Sequence, residues 1–148
     1  MTHGEKGYPQ TDSPEAQHRL IQRLCEKITK NTDKILKMEK FLLDDAEVAV
    51  IAYGIPSRGS LNAVKKSRKE GIKAGLVRIL TVWPFPEKEI QKLARRVKAL
   101  VVPEMNYGQL VYEVERVAKE TPVHFLPKLG EPHKPTEILK AIRRAVKK

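Results

Sequence analysis

Three apolar runs, each closed by turn residues and followed by a segment of helical period, constrain this chain more than any other feature. They cover residues 48–53, ahead of Gly54-Ile55-Pro56-Ser57; 76–82, ahead of Trp83-Pro84-Phe85-Pro86; and 99–102, ahead of Pro103-Glu104-Met105-Asn106-Tyr107-Gly108. Runs of that length, rich in Val and Ile, read as buried parallel strands joined by crossover helices. Ligands and partners of such a sheet meet the carboxyl ends of its strands. The informative residues are therefore expected in 53–60, 83–86 and 104–109.

The rest of the chain completes an alternation. Core strands are predicted near 47–53, 75–82, 99–103 and 122–126. Helices are predicted over 57–70, with Gly71 as C-cap, over 86–97 and over 108–119. A last helix follows Gly130-Glu131-Pro132, with Ile138, Leu139, Ile142 and Val146 as its apolar stripe. The segment Ile35 to Leu43, with its candidate strand at residues 36–41, is separated from the first core strand only by Asp44-Asp45-Ala46. So short a link forbids a parallel crossover, and the segment reads as an antiparallel edge strand. Helices on both faces of such a sheet make a three-layer α/β/α domain. Residues 1–12 read as an arm or linker and 13–148 as the domain. Ser13-Pro14-Glu15 starts the first helix, with Ser13 as cap.

Composition bounds the function. The 148 residues fit one domain. No apolar run approaches the roughly 20 residues of a membrane span, and the N-terminus lacks a signal-peptide core, so a cytoplasmic protein is expected. The single Cys25 excludes an intramolecular disulfide and a Cys-ligated metal site within the chain. It shares an apolar stripe with Leu20, Ile21, Leu24 and Ile28, and is read as a buried structural thiol. The net charge of +11 would suit nucleic acid, an acidic membrane surface or an acidic protein. Lys65, Lys66, Arg68, Lys69 and Lys73 alternate with Glu70, however, and Arg95, Arg96 and Lys98 follow Glu87 and Glu89. These are read as solvated helix faces, and nucleic-acid binding is not expected.

Each candidate for chemistry carries two readings. Gly54-Ile55-Pro56-Ser57-Arg58-Gly59-Ser60 is a strand-to-helix turn whose amides and Arg58 could hold an anion, or a tight turn capped by Ser57. It lacks both dinucleotide-binding and Walker glycine spacings. Glu104, Asn106, Tyr107 and Gln109 converge at one strand end, as a ligand or subunit contact or as local turn bonding. Trp83 and Phe85 are interface anchors or covers of the sheet end. The four histidines show no metal-ligand spacing, and no catalytic triad or carboxylate pair stands out.

Ala52-Tyr53-Gly54, Gly71-Ile72-Lys73-Ala74-Gly75-Leu76, Trp83-Pro84-Phe85-Pro86 and Pro103-Glu104-Met105-Asn106-Tyr107-Gly108-Gln109-Leu110 together resemble one family. It is the C-terminal domain of the alpha subunit of 2-oxoacid:ferredoxin oxidoreductases, nearest the 2-oxoglutarate type, and the resemblance covers residues 3–146. It implies a transketolase C-terminal-like fold, a three-layer sandwich with a mostly parallel five-stranded sheet. Alpha subunits of this family usually carry a thiamine-pyrimidine domain ahead of this one, and residues 2–7 resemble its tail, so a detached or truncated domain is expected. The G-D-G thiamine-diphosphate signature is absent.

The resemblance implies thiamine diphosphate, magnesium and iron–sulfur clusters in the complex, with no cofactor, metal or catalytic residue on this chain alone. Its role is then to contact the other subunits of the oxidoreductase, with Ser57, Arg58, Trp83, Phe85, Glu104, Asn106, Tyr107 and Gln109 as contact residues. A homo-oligomer is expected in isolation. The alternative is an independent small basic protein that binds nucleotide or nucleic acid.

Overall fold

The β-rich runs form strands in the computed structural model, which describes residues 3, 4 and 6–147; Met1, Thr2, Glu5 and Lys148, and with them part of the expected arm, lie outside the described residues. The chain divides into two compact units, Met1–Leu36 and Lys37–Lys148.

In the first unit, α1 (Pro14–Thr29) begins as its sequence requires: Ser13 Oγ accepts from Ala16 N at 3.2 Å, and Pro14 occupies the first turn. A one-turn helix, α2 (Thr32–Ile35), follows. Ala16 is the one buried residue of α1 among those described. Cys25 is exposed, as are Ile21 and Leu24, so the expectation of a buried thiol is corrected. The apolar stripe of α1 exists, but Leu20 and Ile28 on it are only half-buried.

The second unit holds the sheet. Strands β1 (Met38–Phe41), β2 (Val48–Tyr53), β3 (Ala74–Ile79), β4 (Ala99–Glu104) and β5 (Val123–Pro127) lie in the order β1-β3-β2-β4-β5. Pairings β2–β3, β2–β4 and β4–β5 are parallel, and β1 pairs antiparallel with β3, Met38 opposite Ile79. The edge strand therefore has the expected direction but not the expected neighbour, since β3 lies between it and β2. Its link to β2 must cross the start of β3, which explains Gly75. A Cβ there would stand 2.5 Å from Leu43 Cδ2 and 2.7 Å from the Leu42 carbonyl oxygen.

Alternation along each strand feeds two cores. Ala49, Ile51, Leu100 and Val102 face α4 (Glu87–Ala94) and α5 (Leu110–Ala118), which bring Ile90, Leu93, Val111 and Val114. Val48, Val50, Ala52 and Val101 face α3 (Pro56–Lys69) and α6 (Pro135–Val146), which bring Ala63, Val64, Ile138 and Ile142. The result is the three-layer α/β/α sandwich with one antiparallel edge strand. Arg68, read as part of a solvated face, instead clamps the β1–β2 link to the sheet. Its guanidinium donates to Leu42 O at 2.6 Å, Ala74 O at 2.7 Å and Asp45 at 2.9 Å.

Candidate functional site at the carboxyl ends of the strands

Strands β2 and β4 are neighbours, yet the chain leaves β2 for α3 on one face and β4 for α5 on the other. Such a reversal opens a crevice outside their carboxyl ends. Tyr53, the last residue of β2, and Asn106, two residues past β4, meet across it: Asn106 Nδ2 donates to Tyr53 Oη at 3.1 Å. The Asn106 Oδ1 accepts from Gly108 N at 2.7 Å, so one amide side chain ties both strand ends. Gly108 has φ of 111°, and a Cβ on it would stand 3.1–3.2 Å from Val111 and the Tyr112 ring. Only glycine fits that turn without strain.

Glu104 takes the structural half of its two readings. It is fully buried, and its carboxylate accepts from Gln109 N at 3.2 Å, Leu110 N at 3.0 Å and Val111 N at 2.7 Å. Those are the orphan amides at the start of α5, so a glutamate five residues upstream serves as the cap that Gln109 does not provide. The Glu104 oxygens are committed inside the domain.

Two further candidate contact residues are also held inside the domain. Ser57 is buried, and its Oγ donates to Gly54 O rather than capping α3, whose N-cap is Ile55. Phe85 is buried in the α4/α5 core. The remaining five reach the surface. Trp83 and Tyr107 are 73% and 77% exposed, Arg58 and Gln109 are exposed, and Asn106 is half-buried.

Trp83, next to a cis peptide bond to Pro84, borders a cavity of about 210 Å³ lined also by Tyr53, Val82, Phe85, Gln109 and Glu113. Ile55, Leu80 and Val82 extend the exposed apolar rim. Tyr53 opens the stretch 53–60 expected to be informative, and as a tyrosine ending a buried strand it puts an apolar ring inside and a hydroxyl at the mouth. Val82 was not singled out from the sequence. Val82 escaped because the apolar run reads as strand to residue 82, whereas β3 ends at Ile79.

Outside the crevice, His133 is buried against β5, with Nε2 2.9 Å from Leu126 O and Nδ1 without a partner. Burial pushes its pKa below the ordinary 6.5, against smaller opposing effects of the Leu126 carbonyl and Glu137. The unfolded chain then binds the proton that the folded chain resists, and stability falls as pH drops below 6.5. The wild type is expected to lose more stability than His133→Gln between about pH 7.5 and 5.5. Equal losses in thermal melts would rule this out.

Among the described residues, no three of His, Cys, Asp and Glu come together as a metal site, and no helix is long and apolar enough to cross a membrane. The sequence pattern of the family described as pyruvate:ferredoxin oxidoreductase core domain II matches residues 46–138. The chain is 49% identical to 2-oxoglutarate synthase subunit KorA of Methanothermobacter marburgensis, over 96% of its own length and 38% of the relative's. It is 45% identical to KorA of Methanocaldococcus jannaschii over the same shares. The chain thus spans well under half the length of these relatives. The solved 2-oxoglutarate:ferredoxin oxidoreductase from Magnetococcus marinus superposes with a TM-score of 0.84 at 23% identity, over 99% of this chain and 26% of that one, a likeness of fold. With a family pattern spanning the sheet from β2 onward and relatives matching nearly the whole chain, this protein belongs to the 2-oxoacid:ferredoxin oxidoreductase family, as its core domain II.

Proposed function

We propose that this chain is the subunit-contact domain of the alpha subunit of a thiamine-diphosphate-dependent 2-oxoacid:ferredoxin oxidoreductase, with 2-oxoglutarate as the 2-oxoacid. The observation that carries this reading is the apolar rim around Trp83 and Tyr107, presented on a rigid frame at the carboxyl ends of the strands. Large exposed aromatic rings over a packed base are what interface anchors consist of. Arg58, Asn106 and Gln109 stand as the polar groups of the same contact, and the choice of 2-oxoglutarate follows the name of the KorA relatives. In isolation the rim has no partner subunit, and the chain self-associates through it.

The residues present do not fit the cofactors of such an enzyme. One exposed cysteine cannot supply the thiolates of an iron–sulfur cluster. Among the described residues the carboxylates and histidines are dispersed, and the one fully buried carboxylate is already bound to three amides. Cluster, diphosphate and magnesium therefore belong to other parts of the complex, and this chain contributes position.

The test supplies purified chain with thiamine diphosphate, magnesium, coenzyme A, 2-oxoglutarate and an electron acceptor. Turnover is expected only after the remaining parts of the oxidoreductase are added, and to depend on this chain. Turnover from the chain alone, or a complex equally active without it, would sink the proposal.

A further inference from the structure

Sorting the charges by layer separates what the sequence interleaves. Helix α3 carries five basic residues and no acidic one, and α6 carries three basic residues and one acidic. These two helices pack side by side on one face of the sheet. On the opposite face, α4 carries two of each sign, and α5 carries one basic and two acidic residues. One outer layer is therefore strongly positive and the other close to neutral.

Little of the positive layer is neutralised within the chain. Arg68 is taken by Asp45 and backbone carbonyls, and Arg143 pairs with Glu70 at 2.6 Å. Arg58, Lys65, Lys66, Lys69, Lys140 and Arg144 are all exposed and make no ion pair among the described residues. Holding six like charges on one face costs self-repulsion, which an oppositely charged partner removes.

We infer that the outer face of α3 and α6 docks an acidic surface of a protein partner. Its geometry favours protein over nucleic acid. Both helices are seated on the sheet through their buried stripes, so neither projects as an element that could enter a groove. Neither contains an aromatic residue on which a base could stack. What remains is a broad, nearly flat array of flexible cationic side chains, suited to steering and register against carboxylates. The face lies on a helical layer, whereas the Trp83 rim lies at the sheet end, so the inference stands or falls independently of the proposed function.

A short poly-L-glutamate peptide serves as the probe, titrated onto the full chain at rising ionic strength. Binding is expected, weakening with salt. A variant combining Lys65→Glu, Lys66→Glu, Lys140→Glu and Arg144→Glu is expected to bind at least about tenfold more weakly. A control with the same number of reversals on the other side, Lys88→Glu, Lys92→Glu, Arg95→Glu and Lys119→Glu, is expected to lose less than about twofold. If the first variant fails to fold, glutamines at the same four positions are read in its place. Absence of peptide binding, equal losses in the two variants, or tighter binding of duplex DNA or anionic vesicles than of the peptide would overturn the inference.

Discussion

Replacing Glu104 with alanine is expected to destabilise the protein by about 2–4 kcal/mol, the largest effect of any single truncation at the sheet end. Among the described residues the three amides it binds have no other acceptor, and two of the three hydrogen bonds are wholly buried. Removing a buried acceptor leaves its donors dry, and each such donor costs about 1–3 kcal/mol. Glu104→Gln keeps one oxygen but turns an N–H group toward backbone N–H groups, so it is expected to recover part of the loss and no more. Urea unfolding of both variants checks this. A loss below about 1 kcal/mol for alanine, with an unchanged slope, would mean that water or a neighbouring group takes over the amides. The change also reaches the surface, since Asn106 and Tyr107 lie between Glu104 and the helix it starts.

The same glutamate shows where reading the sequence stops. A carboxylate just after a buried strand is equally suited to holding a helix start or to meeting a partner, and only the path of the next five residues decides. The strands themselves were legible because β-branched runs bounded by Gly and Pro leave few alternatives. The edge strand was legible in direction through the shortness of its link, and its neighbour was not, because nothing local to residues 42–47 records that β3 inserts there. Gly75 carried that information in the form of a missing side chain. Cys25 was misread because helical period identifies a stripe, while burial requires a second surface to cover it. The charge layers were hidden for a related reason: α3 and α6 are separated by some 65 residues and become one face only through the crossovers. Of the eight candidate contact residues named from the sequence, Ser57, Phe85 and Glu104 are buried in the frame. Trp83, Tyr107, Asn106, Gln109 and Arg58 are what that frame presents.

Trp83→Ala is expected to weaken self-association, and association with the remaining oxidoreductase subunits, by about 2 kcal/mol or more, roughly a 30-fold change in Kd. The same substitution should cost less than about 1 kcal/mol of folding stability, because a side chain 73% exposed surrenders little packing within its own domain. That ratio is the signature of an anchor: a ring on the surface in the free chain, bordering a cavity of about 210 Å³ and buried only when a partner arrives. Tyr107→Ala removes a comparably exposed ring from the far side of the crevice and should act in the same direction. Sedimentation equilibrium gives the association constant and thermal melts give the stability, on the same preparations. If the loss of stability equals or exceeds the loss of association, Trp83 is a cover for Phe85 and the α4/α5 core. If association falls while the melt holds, the rim at the carboxyl ends of the strands is where this domain meets its complex.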